Sequence, residues 1–521
     1  MNGFIQRHRD LVIGMLNGFD RLRFRGSKRL LCSLGGMHNY LWQARVLLKD
    51  FKDYAMSMTE QLRQATVKVA EAAGRPLRYL ANSSLSKEDL AREIARRDGI
   101  TEGLIAVFSA VEPCWSYHIH RNRQTRELDL VSGPSKCLHY YHYYQHRQLG
   151  FLHVRLQTWF PFTVHICING REWLARQLDA AGIGYLRREN CFVDIADLER
   201  AQQLADRQLQ VDWAKLLDRL ASLANPVARQ MFRAVKVPYY WSVQESEWAS
   251  DVLFRSATAL SDLYERLLRH GLTTHSSREV MRFLGRTVPP QGGIYGHFKG
   301  QVVTDLKSRP EGIRIKSRVD HNSIKMYNKQ GNVLRTETTI NQPRDFKAFR
   351  PKEGDADGPK QWRYLRRGVA DMHRRAQVSQ AANDRYLESM AAVEAGEPLG
   401  RLSEPLCRPV RWNHKRVRAL NPLSAKDAAL LEAVSRGEFL LNGFRNRDLR
   451  GLLYGDKPAS QAEDRRRSAA VTRQIRLLRA HALIHKRPYT HRYVVSPDGQ
   501  KAIAALLSAR AADTKKLIAA A

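Results

Sequence analysis

Three groups of side chains in this sequence have the types and spacing to work on a phosphate. The first lies in three consecutive segments that read as strands. Alternation puts Arg314, Lys316 and Arg318 on one face of Ile313–Val319, and Lys325, Tyr327 and Lys329 on one face of Ser323–Lys329. In Val333–Ile340 it puts Arg335, Glu337 and Thr339 together. The opposite faces carry Ile313, Ile315, Val319, Ile324, Met326, Leu334 and Ile340. Residues two apart in a strand point the same way, so the pattern describes a sheet with an apolar face and a face of cations around a tyrosine. Such a face suits a phosphate backbone, with Tyr327 stacking on a base or simply packing. Glu337 beside Arg335 either orients that guanidinium or holds a metal.

The second group is His118-Ile119-His120. In a strand the two imidazoles share a side and suit one divalent ion, Mg²⁺ or Mn²⁺, with Asp305 and Asp320 as further candidate ligands. An ion held there would polarise a phosphate for attack by a tyrosine. Nearby, His139 to Arg147 is dense in Tyr and His. Phe151–Thr158 puts His153, Arg155 and Gln157 on one strand face, with His165 and Asn169 on the next strand. That mixture suits stacking and edge contacts on single strands, or an aromatic core with polar tips.

The third group sits on a helix. Ser460 and Glu463 form a capping-box pattern that opens a helix to about Ala480. Val471, Ile475, Leu478 and Ala482 recur as its apolar stripe, and Arg465, Arg466, Arg473 and Arg476 fall opposite. A strand, a basic turn with Lys486, Arg487 and Arg492, a second strand and a final helix follow. Upstream, Ser424 and Asp427 open one more helix and Phe444–Leu453 reads as a short one.

The elements that position these groups predict an α+β multidomain chain. Residues 1–103 read as a mostly helical region, with Asn39–Ala73 one long helix and Phe19–Gly26 a half-buried strand or basic hook. Residues 104–208 are an aromatic-rich, strand-rich α+β block. It holds strands at Leu104–Val111, Trp115–His120, Lys136–Tyr144, Phe151–Thr158 and Thr163–Asn169, then helices at Arg171–Ala181 and Asp194–Arg207. Residues 209–290 are a helical connector with a strand at Tyr239–Gln244. Residues 291–350 are a basic β-meander after a Pro289–Gly293 turn. Residues 351–423 hold a charged helix and a Pro/Arg linker, and 424–521 a three-helix module with a hairpin.

Composition narrows the partner. The 521 residues hold 86 Lys and Arg against 52 Asp and Glu, a net charge of +34. Self-repulsion at that charge calls for a polyanion, and nucleic acid fits the charge footprint. Residues 401–521 alone hold 25 Lys and Arg against 10 Asp and Glu, a net of +15. No run of 18 apolar residues and no apolar signal core in Met1–Asp10 are present, so neither a membrane partner nor secretion is expected. The six cysteines form no CxxC pair, which excludes zinc ribbons and points to thiols in the cytoplasm. No Walker loop, GxGxxG, GxSxG or HExxH occurs, and Asp194, Asp305, Asp320 and Glu337 lack a spacing diagnostic of a nuclease.

Three resemblances bear on this. Residues 424–510, with LLRAHALIHK and THRYVVSPDGQKAIAALL, resemble winged-helix transcription regulators. The likeness implies that an Arg-rich third helix enters the major groove and that the wing, Lys486 to Arg492, touches the backbone or the minor groove; a winged helix for protein contacts is the alternative. SIKMYNKQGNVLRTETTIN resembles a hairpin of rolling-circle replication initiators, matching at Tyr327, Lys329, Arg335 and Glu337. Those proteins cut one DNA strand with a tyrosine beside a divalent metal. The run from GFLHVRLQTWFPF to NGREWLARQLD resembles a group of uncharacterised bacterial proteins, which conveys no activity. The expectation is a nucleic-acid-binding protein, DNA-directed, in replication initiation, strand processing or another mobile-element step, with nicking if a metal is held. An RNA-binding ribonucleoprotein component and a transcription regulator are the alternatives.

Overall fold

The computed structural model describes residues 2–81, 85–285, 302–310, 312–352, 355, 357–391, 399–440, 443–455, 458–488 and 490–511. The chain is mixed α/β, and its contacts gather into two compact units. One unit holds Gly18–Trp248 with Arg366–His373. The other holds Met1–Asn17, Ala249–Leu365 and Arg374–Ala521. The helical start of the chain belongs partly to the same unit as its end.

In the first unit a sheet is built from β1 (Val12–Lys28), β2 (Leu77–Tyr79), β3 (Gly103–Arg121), β4 (Leu128–His146), β5 (Gly150–Gln157) and β6 (Val164–Asn169), in the order β1-β6-β5-β4-β3-β2. Neighbours are antiparallel except β2 with β3. The two strands expected around Pro113 are one, β3. Beyond Ser109 β2 no longer pairs with it, and a proline is tolerated on such an edge. The helix Phe51–Ala72 buries Phe51, Ala55, Met58, Leu62 and Ala65 at helical spacing. The expected single helix over Asn39–Ala73 is instead Leu34–Gln43 and Phe51–Ala72, separated where Arg45 takes a left-handed φ of 56°.

The hairpin β7 (Tyr185–Arg188) and β8 (Cys191–Ile195) takes up Asp194, so the helix expected from there begins at Leu198 with Asp197 as its cap. β9 (Tyr239–Phe254) runs ten residues past the expected strand end. Its buried second half, Ser246–Phe254, is enclosed on both faces and so shows no alternation.

The second unit contains the expected meander: β10 (Val302–Arg309), β11 (Gly312–Val319), β12 (Asn322–Lys329) and β13 (Val333–Ile340), each antiparallel to the next. Gln330 and Gly331 close β12 to β13 with φ of 56° and 88°, the left-handed pair that matches strand twist in a tight hairpin. Ile315, Ile324, Met326, Leu334 and Ile340 pack with Leu260, Leu263 and Leu267 of the helix Ala257–Thr273 and with Tyr386, Leu387 and Met390 of the helix Met372–Ala391. Ile313, expected on that apolar face, is exposed beside the β10–β11 turn.

The C-terminal part of this unit follows the expected order: helices Ala425–Val434, Asn446–Tyr454 and Gln461–Ala480, a hairpin of Ile484–Lys486 with Tyr493–Val495, then the helix Pro497–Ala511. Ser424 and Ser460 cap their helices by accepting from the N–H of Asp427 and Glu463. The stripe is Val471, Ile475 and Leu478 with Leu477; Ala482 lies past the helix end at φ 55° and is exposed, which corrects its place in the stripe. The Pro/Arg stretch expected as a linker is built into this core. Its Leu406, Val417 and Leu420 pack with Leu430, Val471 and Leu478, and Val410–Trp412 pairs with Lys415–Val417 as a ribbon. The Pro289–Gly293 turn lies outside the described residues. No described helix is long and apolar enough to cross a membrane.

Candidate nucleic-acid interface

Capping fixes where the helix Gln461–Ala480 starts, and burial of Val471, Ile475 and Leu478 fixes which side faces out. Arg465, Arg466 and Arg473 are exposed on that outer side. Glu463 is taken by Arg467 at 2.6 Å and lies 3.9 Å from Arg466, while Arg465 and Arg473 have no ion pair among the described residues. Lys486 and Arg487 are exposed on the hairpin. Arg492 is not. It is buried, its guanidinium lies 3.7 Å over the Phe349 ring, and its Nη1 donates to the Gly443 carbonyl at 3.0 Å. Burial and the neighbouring Arg445 lower its pKa. The expectation that Arg492 belongs to a solvent-facing wing is corrected: packing against Phe349 claims it.

Arg476 leaves the outer face and turns into a groove of about 560 Å³. The groove is floored by Ser468, Thr472, Ile475 and Arg479 of the same helix, and walled by Arg445, Asn446, Arg447 and Arg450 on one side and Trp412, His491 and Tyr493 on the other. Arg479 lies over the Trp412 ring at 4.8 Å and the Tyr493 ring at 5.9 Å. Arg450 is matched by Asp464 at 2.5 Å and Arg447 lies 3.8 Å from Asp448, whose carboxylate also accepts from the Arg445 N–H at 2.8 Å, whereas the guanidinium groups of Arg445, Arg476 and Arg479 form no ion pair among the described residues. The Arg445 Nε is buried with no hydrogen-bond partner.

The meander divides its expected cationic face. Arg318 is exposed and Arg314 and Lys316 are half-buried, with Arg314 3.4 Å from Asp305. Burial and the nearby Lys325 and Arg314 lower the Lys316 pKa. Lys325, Tyr327, Lys329, Arg335 and Glu337 are all buried. Lys325 Nζ donates to Glu337 Oε1 at 2.5 Å, and the Tyr327 hydroxyl donates to Glu337 Oε2 at 2.9 Å. Arg335 grips Asp251 with Nε at 2.5 Å and Nη2 at 2.8 Å. Burial pushes the Glu337 carboxyl up, but Lys325 and Arg335 outweigh it and hold the group well below the usual carboxylate range. As placed, Tyr327 and Glu337 are members of an internal ion network rather than of an open surface. Thr339 shares their face and is also buried.

In the first unit the structure brings His153 and Arg155 of β5 beside His165 of β6, with Arg25 of β1 next in line. Arg155 lies 3.0 Å from Glu112, which also accepts from Tyr141 at 2.5 Å. Burial and the nearby arginines push the His153 imidazole down to about 4 and His165 to about 3. Gln157 turns inward to the Trp115 and Phe160 carbonyls, and Asn169 caps the helix Gly170–Ala180. His118 and His120 are exposed on β3. Asp305 and Asp320 belong to the other unit, so neither unit holds all four expected metal ligands. Asp305 pairs across from Lys316, and Asp320 lies four residues farther on, about 13 Å along the strand direction.

Sequence reading missed Arg445, Arg447, Arg479 and Trp412. Arg479 was within reach, because it follows Arg476 by three residues and Thr472 by seven on one helix face. Trp412 gave no local signal, since its place depends on the ribbon packing onto the module. Compared with known proteins, the chain matches no family model, no curated protein and no solved structure.

Proposed function

We propose that this chain binds nucleic acid, DNA foremost, and that residues 424–511 form a winged helix that docks on a duplex. In this reading Gln461–Ala480 is the helix that enters the major groove, Arg465, Arg466 and Arg473 contact bases and phosphates, and Lys486 and Arg487 reach the backbone. The observation that carries it is a helix face of exposed arginines, two of them without a carboxylate partner among the described residues, in a chain of net charge +34. Uncompensated cations on an ordered face favour a polyanion. A role in replication initiation, transposition or another mobile-element step fits a protein with so much cationic surface beyond one duplex reader, and the cytoplasm suits its six thiols. Mg²⁺ or Mn²⁺ enters only if a strand is cut.

A second ligand, single-stranded DNA or RNA, is favoured by the β5–β6 face, where His153, Arg155 and His165 line up half-buried. The deciding experiment is fluorescence anisotropy of the full chain with labelled duplex, comparing wild type with Arg466→Ala/Arg473→Ala. A good side-chain contact to a base is worth about 1–3 kcal/mol, so the double variant should bind at least tenfold more weakly at an unchanged melting temperature. Equal binding by both proteins would sink the docking assignment.

A further inference from the structure

The groove behind the duplex-facing side of the helix Gln461–Ala480 differs in chemistry from that side. The outer side offers separate cations. The groove offers cations and flat rings together: Arg479 lies against Trp412 and Tyr493, while Arg445 and Arg476 enter from the other edges with guanidinium groups that form no ion pair among the described residues. Its volume of about 560 Å³ is that of a small-ligand site. A duplex cannot enter such a space, because its bases are stacked and its width far exceeds the cleft. A single nucleotide can. Its base has a π-face for the tryptophan ring and the guanidinium plane, and its phosphate has the charge that Arg445 and Arg476 lack.

We propose that this groove seats one unpaired nucleotide of a nucleic acid, at a strand end or a junction between single and double strand. The base lies against Trp412 and Arg479, and the phosphate lies between Arg445 and Arg476. The proposal rests on the nucleic-acid reading above and deepens it. The duplex arm is read by Arg466 and Arg473, and the unpaired nucleotide is read by the groove. The protein would therefore prefer a duplex carrying an overhang to a blunt one.

The test uses the full chain and two duplexes of one sequence, one blunt and one with a single-stranded overhang carrying 2-aminopurine at its first unpaired position. Wild type should bind the overhang form more tightly and quench the 2-aminopurine as the base stacks. Trp412→Ala and Arg479→Ala should each weaken overhang binding about tenfold, in line with the cost of losing one stacked base, and should change blunt binding by less than twofold. Trp412→Phe should restore most of the loss. Because Trp412→Ala could disturb the ribbon, Arg476→Gln, which removes only a groove cation, should show the same selective loss. Equal losses on both duplexes, or none on either, overturn the groove assignment. So does competition by phosphotyrosine that is stronger than by a nucleoside monophosphate, which would mark a phosphopeptide cleft. If wild type binds neither duplex, the nucleic-acid reading itself fails, an outcome distinct from loss of overhang preference alone.

Discussion

Lys325 and Glu337 stand directly across from one another on β12 and β13, with Nζ 2.5 Å from Oε1 and both side chains buried. Each charge answers the other, so removing one leaves a buried charge with less to balance it. Glu337→Gln should destabilise the fold by about 3–5 kcal/mol, read from denaturant midpoints. Lys325→Met/Glu337→Gln should recover much of that loss. A single variant as stable as wild type would mean that the pair is not closed in solution.

The same carboxylate sets an acid limit. Its folded pKa is lowered, so its contribution is complete above the unfolded value of about 4.3 and is lost as pH falls below it. Wild type should lose stability more steeply than Lys325→Met/Glu337→Gln between about pH 5 and 2, measured by urea titration. Parallel curves would refute the assignment.

Tyr327 distinguishes scaffold from nucleophile. Its hydroxyl is donated to Glu337, so Tyr327→Phe should cost about 1.5–3 kcal/mol and leave nucleic-acid affinity unchanged. Incubation with end-labelled single-stranded DNA and Mn²⁺ should give no covalent protein–DNA adduct. An adduct in wild type that vanishes in Tyr327→Phe would restore the strand-cutting role.

Arg487 and Arg492 lie five residues apart in the hairpin region and should behave oppositely. Arg487→Ala should leave the melting temperature unchanged and lower the salt slope of duplex binding by about 0.9, the share of one phosphate. Arg492→Ala should lower stability instead, because it removes the Phe349 contact and the bond to the Gly443 carbonyl. Identical profiles for the two variants would remove the distinction.

His139, His153 and His165 are pushed down to about 4, 4 and 3 by burial first and by nearby arginines second. They should remain neutral from pH 8 to 5.5 in NMR titrations. Since the unfolded chain takes up these protons near pH 6.5, stability should decline as pH falls from about 6.5 towards 4. A midpoint near 6.5 for any of the three would show that it is open to water.

Local order was legible where it rests on local rules. The meander strand bounds and the serine caps follow from alternation and hydrogen bonding within a few residues. What neighbours in space decide was not legible. Arg492 reads like Lys486 and Arg487 until Phe349, more than a hundred residues away, stacks on it. Arg335 reads as a surface cation until Asp251 meets it. The Ser246–Phe254 half of β9 gave no period because both its faces are covered.

The interleaving of the two units sets a timetable for synthesis. Phe4 and Val12 are made well before Val252, Leu334 and Tyr386, the residues with which they pack. At about 5–20 residues per second, the last of these leaves the ribosome roughly 20–75 s after the first. Throughout that interval the N-terminal residues have no finished core to enter, and any chain that stops short of Tyr386 never provides one. Early exposure of this kind makes the nascent chain a natural client for chaperones, and a premature stop far downstream should be felt at Phe4 and Val12.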